Sequence, residues 1–312
     1  ISWFKGPTTI KGVETDIYAE NGWYNTVTDI AEFNENARVR NGDQILTGDS
    51  LYYERTNGYG QAFRNIQVID TVQNMLVNGH YALYQKSVGY TMITQRAEAL
   101  LIDKNDTLFL HADTLRATFD STQTTREIFA FYHVKFYRSD LQGLCDSLTY
   151  AFSDSTMRMT GSPIVWADDN QLTADTIHVL TGEESIKQIF LFQNSFIVSR
   201  DTLGNGYNQI KGRDMTGFVS DDELRLIKVK GNSETLYWVR EEDGTLTGIN
   251  KAFSSNIQIR LKDRKMKQIV YIEKPNAELL PEDDISPSEL LLRNFQWHAD
   301  RRPLERADIF EW

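Results

Sequence analysis

Leu110-His111-Ala112-Asp113-Thr114-Leu115-Arg116-Ala117 decides the fold, because it is one copy of a slot that recurs along the chain. The slot reads apolar-x-small-Asp-Ser/Thr-apolar-x-apolar. Clear copies run from Leu46 to Tyr53, from Gly143 to Tyr150 and from Leu172 to Val179. Looser ones keep the apolar frame: Val77-x-Gly79-x-x-Ala82-x-Tyr84, Ile210-x-Gly212-x-x-Met215-x-Gly217, and Leu246-x-Gly248 followed by Phe253. Ile10-x-Gly12-x-x-Thr15-x-Ile17 reads as an eighth copy. Counted at the Asp position (49, 80, 113, 146, 175, 213 and 249), the steps are 31, 33, 33, 29, 38 and 36 residues. A period in that range belongs to architectures built by stacking one repeated unit.

Inside each slot the apolar residues alternate at period two, as in a strand with one buried face, and the phase flips at the Asp-Ser/Thr pair. Leu110 and Ala112 share a face; Leu115, Ala117 and Phe119 share the next. A bulge or sheet corner at the pair keeps both sets inside, with the small residue leaving room for the bend. The Asp and Ser/Thr side chains are expected to bond the backbone amides freed there. About seventeen to twenty-three residues after each Asp position comes a second strand-like run, including Arg64–Ile69, Tyr132–Tyr137, Ser162–Trp166, Ser195–Ser199 and Gln268–Ile272. Polar turns such as Asp120-Ser121-Thr122-Gln123 and Asp168-Asp169-Asn170 separate the runs. The expected fold is all-β: an elongated stack of about seven to eight two-strand repeats in two facing sheets, rungs about 4.8 Å apart.

The alternation sends Leu51, Tyr53, Ile66, Val68, Leu115, Ala117, Phe119, Val134, Phe136, Leu148, Tyr150, Ile177, Val179 and Met215 to the interior. Such an interior is either a dry core or a groove for lipid, and the residues themselves leave both open.

With 40% hydrophobic residues in 312, the chain can build a substantial core. No apolar run approaches eighteen residues, so it is not read as membrane-spanning. The chain begins at Ile1 rather than Met, as a processed or trimmed piece of a longer protein does. The single cysteine, Cys145, takes the slot's small-residue place and reads as buried filler. A net charge of −11, without a basic stripe, argues against nucleic acid. The basic run Arg260–Lys267 reads as a hairpin turn.

Residues 1–272 read as one stacked-β domain, followed by residues 273–312 as an acidic, proline-bearing linker, a short helix and a cap. Ser286-Pro287-Ser288-Glu289 is a capping box opening a helix through Leu290, Leu291 and Leu292. The aromatic, Arg-rich tail from Phe295 to Trp312 is expected to cap the last rung.

No catalytic residue, metal ligand or cofactor is expected. His80, His111, His133, His178 and His298 are scattered, with no second ligand at metal spacing. The acidic series Asp49, Asp113, Asp146 and Asp175 has a structural role at the bends. No P-loop, nucleophile elbow or dinucleotide fingerprint is present.

The repeated Gly/Ala-Asp-Ser/Thr-Leu-x-Tyr slot is accompanied by Phe4-Lys5-Gly6-Pro7-Thr8-Thr9-Ile10, Asn21-Gly22-Trp23-Tyr24-Asn25-Thr26, Phe295-Gln296-Trp297 and Arg301-Arg302-Pro303. With these the chain resembles the OstA-like proteins of the Bacteroidetes, relatives of the periplasmic bridge protein LptA and of the periplasmic domain of LptD. The resemblance implies a β-jelly roll or "β-taco" in the Gram-negative periplasm. It implies that the groove carries the acyl chains of lipopolysaccharide or lipid A, lined by the inward residues named above. It also implies edge-to-edge stacking on similar domains of the transport machinery. The alternative is a structural stacked-β assembly module whose core is filled by its own side chains. A carbohydrate-active enzyme on the same scaffold is a third, more distant reading.

Overall fold

A computed structural model describes residues 1–12, 15–72, 74–103, 106–122, 124–182, 185–220, 223–262 and 265–312. Gln123 of the polar turn, and Asp263 and Arg264 of the basic run, lie outside the described residues. The fold is all-β. Its strands are β1 (Ser2–Lys11), β2 (Thr15–Asn25), β3 (Ile30–Asn41), β4 (Gln44–Glu54), β5 (Tyr59–Asp70), β6 (Met75–Gln85) and β7 (Tyr90–Ile102). There follow β8 (Thr107–Phe119), β9 (Thr125–Arg138), β10 (Leu141–Ala151), β11 (Thr156–Thr160), β12 (Ile164–Ala167), β13 (Asn170–Thr173) and β14 (Thr176–Thr181). The last are β15 (Ile186–Arg200), β16 (Tyr207–Ser220), β17 (Glu223–Arg240), β18 (Leu246–Lys262), β19 (Lys265–Ile272) and β20 (Asn276–Leu280). The described residues hold only short 3-10 turns besides. The helix expected through Leu292 is one of them, Pro287–Leu290; its capping box forms as read, but the turn stops at Leu290.

Every strand pairs antiparallel with its neighbours in a meander, and nearly every long pairing breaks register once near its middle. The break is the corner. Among the described residues three legs are interrupted there (β11/β12, β13/β14, β19/β20), so the twenty strands make seventeen bent legs, or about eight two-leg repeats.

The corner has two halves, and the slot shows only one. In the legs that carry the slot, one residue (Asp49, His80, Asp113, Arg213) faces two on a neighbouring leg. Left-handed pairs stand at these corners: Glu35-Asn36, Arg64-Asn65, Gln95-Arg96, Tyr132-His133, Gln193-Asn194 and Glu273-Lys274 with φ between 49° and 64°, and Gly161-Ser162 and Gly231-Asn232 with φ between 50° and 77°. Left-handed backbone costs an L-residue about 1–2 kcal/mol, less for Asn, so the corner must hold these pairs in place. It does so with the slot's acid. Asn65 Nδ2 donates to both oxygens of Asp49 at 3.1 Å, and Asn194 Nδ2 to those of Asp175 at 3.0 and 3.1 Å. Asn36 Nδ2 donates to Glu20 at 3.0 Å, and His133 Nδ1 lies 2.9 Å from Asp113. A backbone amide is the donor at Asp214, from Gln193 N–H at 3.1 Å. Side-chain amides thus take most of the role expected of freed backbone amides.

Two looser copies of the slot fall elsewhere. Ile10 and Ile17 are cross-strand partners on β1 and β2, so that copy straddles a hairpin. In β18 the register breaks between Ser254 and Asn256, which places the corner past Gly248. The basic run is a hairpin as read, Lys262 pairing with Lys265.

The polar turns cap themselves. Asp120 Oδ1 accepts from Thr122 Oγ1 (2.6 Å), Thr122 N–H (2.9 Å) and Thr124 N–H (3.0 Å). These bonds, the Thr122 hydroxyl first, pull the Asp120 carboxyl down to about 2. Because the folded value is depressed, the contribution is present above the ordinary carboxylate range and is lost as pH falls toward 2. A carbon-detected titration is expected to find Asp120 still ionised at pH 3; in Thr122→Ala its midpoint moves up toward the ordinary value.

Contacts group the chain into two compact units: residues 1–139, 147–153 and 303–312, and residues 140–146 with 154–302.

Candidate functional site

Within each unit the bent legs give two arms that meet at the corner. Arm A holds the half-legs with the slot's small residue, and arm B those with the apolar residue after it. Side chains of one arm fill the space above the small residue of the other. A Cβ at Gly79 would overlap Ile93 Cγ2, and one at Gly212 would overlap Val229 Cγ1; at Gly48 it would stand 3.2 Å from Leu51 Cδ2. The small residue is therefore a packing requirement of the fold line. Cys145 answers the same need: it is fully buried, and burial pushes its thiol up to about 12, so it is unreactive as a nucleophile.

In the first unit the cross-strand pairs align the expected inward residues in rows. Leu51, Ala62, Ala82, Ile93, Leu115 and Ala130 form the arm B row beside the corner, all buried. Ile66 and Val134 are buried in the matching arm A row. Phe136 and Leu148 are also buried. One row outward, Val68, Ala117 and Tyr150 are half-buried, as is Phe119 beyond them. At the rim Tyr53 is 37% and Leu101 44% exposed. Inner-face exposure thus rises with distance from the corner, so solvent reaches the inner face from the side opposite the fold line. Among the described residues every buried inward residue of this unit is apolar; the buried polar residues, Glu98, His111 and Lys135, are on the outer face of arm A. Aromatic rings gather toward the rim: Tyr84 and Phe119 stack with centroids 5.5 Å apart, and the Tyr53 ring lies over Gly60.

In the second unit, Ile177, Leu191, Met215, Val229 and Ile257 form one buried inner row. Val179 is half-buried in the next row, whereas Ile227 and Ile259 of that row stay buried at 4% and 1%. Here the arms are tied across the interior. The Tyr271 hydroxyl, on arm B, lies 3.0 Å from Thr235 Oγ1 and donates to Asn250 Oδ1 at 3.1 Å, both on arm A. Burial pushes the Tyr271 phenol above its ordinary value, with the Thr235 bond working against it.

The tail lies along the outer face of arm A, where the sequence suggested a cap on the last rung. In the second unit that face is apolar, and Ile285, Leu292, Phe295 and Trp297 pack against Phe196, Val198, Leu236, Trp238 and Ile249. Two buried glutamines grip the tail backbone in the same way. Gln209 donates to the Leu290 carbonyl and accepts from Leu292 N–H, both at 2.8 Å. Gln171 donates to the Gln296 carbonyl (2.8 Å) and accepts from His298 N–H (2.7 Å). Gln142 accepts from Arg302 Nε at 2.8 Å. In the first unit Arg306 makes a two-point pair with buried Glu98, both bonds 2.7 Å, Phe310 covers His111, and Trp312 Nε1 donates to the His133 carbonyl. Gln142, Gln171 and Gln209 each stand four residues before the slot's Asp position (146, 175, 213), a repeat signal the slot itself does not include.

His111 Nδ1 bonds the Ala97 carbonyl at 2.6 Å, while Asp113 faces His133, so the His-Ala-Asp string does not form a pair. Among the described residues no group of three or more His, Cys, Asp or Glu is placed to hold a metal, and no helix is long and apolar enough to cross a membrane.

No curated protein sequence matches the chain. Among solved structures, LptH of Pseudomonas aeruginosa, described as the LptA homologous periplasmic component of the lipopolysaccharide transport device, aligns with a TM-score of 0.36 at 10% identity. The alignment covers 46% of this chain and 99% of that one. The family model that matches is that of the OstA-like proteins, over residues 9–95, from the end of β1 to the corner of β7.

Proposed function

We propose that the chain is a periplasmic conduit for lipopolysaccharide, holding acyl chains between the arms of the first unit and using no catalytic group. One observation carries the reading. The inner face there is apolar throughout its buried rows, yet becomes exposed toward the rim, as at Tyr53 (37%) and Leu101 (44%). A self-filled core has no reason to leave its inward aromatic rim open to water. Burial of an acyl chain is worth about 0.8 kcal/mol per CH₂, on the order of 10 kcal/mol for one long chain before ordering costs. Repulsion between a net charge of −11 and an anionic headgroup fades beyond about 8 Å at physiological salt, so a headgroup left outside the rim does not cancel that gain. Leu51, Ile66, Leu115, Val134, Phe136 and Leu148 would form the floor, and Tyr53, Val68, Ala117, Phe119 and Tyr150 the walls. The OstA-like segment supports the same reading and, with it, edge-to-edge stacking on similar domains.

The test uses neighbouring residues of opposite facing. A photo-crosslinking residue at Tyr53 or Tyr150 is expected to capture lipopolysaccharide in cells; at Tyr52 or Thr149, which point outward, it is expected to capture none. Equal labelling of both sets, or no labelling of a folded, exported protein, would instead support a structural assembly module.

A further inference from the structure

We infer that the interior is closed to acyl chains at β17–β19 of the second unit, where Tyr271 bolts arm B to arm A; the inference rests on the lipid reading above. Two independent observations support it. The first is the bolt. The Tyr271 hydroxyl crosses the interior and engages Thr235 Oγ1 at 3.0 Å and Asn250 Oδ1 at 3.1 Å. Thr235 is 1% exposed, so an acyl chain passing here must part it from Tyr271 and leave a desolvated hydroxyl without that partner. Such groups are costly to orphan in an apolar surround. The second is the packing outside the bolt. In the first unit the inner row second from the corner is largely half-buried, whereas at β17 and β18 the same row, Ile227 and Ile259, is closed over.

The consequence is directional. Within the second unit an acyl chain has no continuous apolar path along the last strands while the bolt is shut, so Tyr271 is a positioning residue that sets where acyl chains stop there.

The experiment uses the full chain, purified lipopolysaccharide and a photo-crosslinking residue at one of two inward sites, Phe119 in the first unit or Ile269 in the second. The parent protein is expected to be captured from Phe119 and not from Ile269. Adding Tyr271→Ala is expected to raise capture at Ile269 at least tenfold and leave Phe119 unchanged. Tyr271→Phe keeps the ring and removes only the hydrogen bonds; it serves if the alanine variant does not fold, with an expected gain of threefold or more. Capture at Ile269 in the parent overturns the closure while leaving lipid binding intact. No gain at Ile269 in the folded variant shows that Tyr271 is not the barrier. Absence of capture at both sites in the folded parent removes the lipid reading itself.

Discussion

Leu148→Asp is expected to lower stability by about 4 kcal/mol or more, the largest single effect foreseen within the first unit. Leu148 is 4% exposed. The substitution removes its apolar contacts and sets an unpaired carboxylate in an interior whose buried residues are all apolar. The loss should be smaller at pH 4 than at pH 7, because a carboxyl desolvated in that way has a raised pKa and enters as the neutral acid when protons are abundant. Leu148→Met, which nearly conserves volume, is expected to cost less than about 1.5 kcal/mol. Urea midpoints at the two pH values measure all three. A cost for Asp below about 1 kcal/mol at pH 7 would place residue 148 on the outer face and undo the assignment of the rows.

Trp238→Ala is expected to cost about 3–5 kcal/mol and to release the tail before the strands. Trp238 is 6% exposed and sits among Phe196, Leu236 and Ile249 beneath Ile285 and Leu292. Its indole N–H is buried without a hydrogen-bond partner, so the ring acts through packing alone. Trp238→Phe discards that unpaired donor and should cost less than about half as much. Hydrogen exchange separates the stages. The Leu292 and His298 amides, held by Gln209 and Gln171, should lose protection in Trp238→Ala under conditions where the β15–β17 ladder keeps it. Simultaneous loss would show that the tail and the sheet open as one unit.

The strands and the inward rows were legible because alternation reports them directly. The corner was half legible. In the slot legs, inward residues on either side of it are three apart, as at Gly48 and Leu51, and the odd step flips the phase. In the intervening legs they are four apart, as at Ala62 and Ile66; two left-handed residues restore the parity, and period-two reading passes through them unaware. The copies at 10–17 and 246–253 failed for the converse reason: the apolar frame survives where no corner exists. The openness of the interior depends on the angle between arms, which no residue type encodes. The tail's site was hidden because a single outward Gln looks like any solvent-facing residue until its partner, 81 residues away for Gln209 and 125 for Gln171, is known.

The tail also separates making the strands from finishing the protein. Each strand pairs with legs close to it in sequence, so the meander can form progressively as the chain emerges, with small loop-closure costs at every step. The tail contacts are of another kind: Arg306 reaches back 208 residues to Glu98, and Trp312 reaches back 179 to His133. Until residues 285–312 arrive, the aromatic outer face around Phe196 and Trp238 has nothing over it. A chain interrupted just past β19 would hold almost every strand and still expose this patch, so its fate would be set by aggregation kinetics rather than by the stability of its repeats.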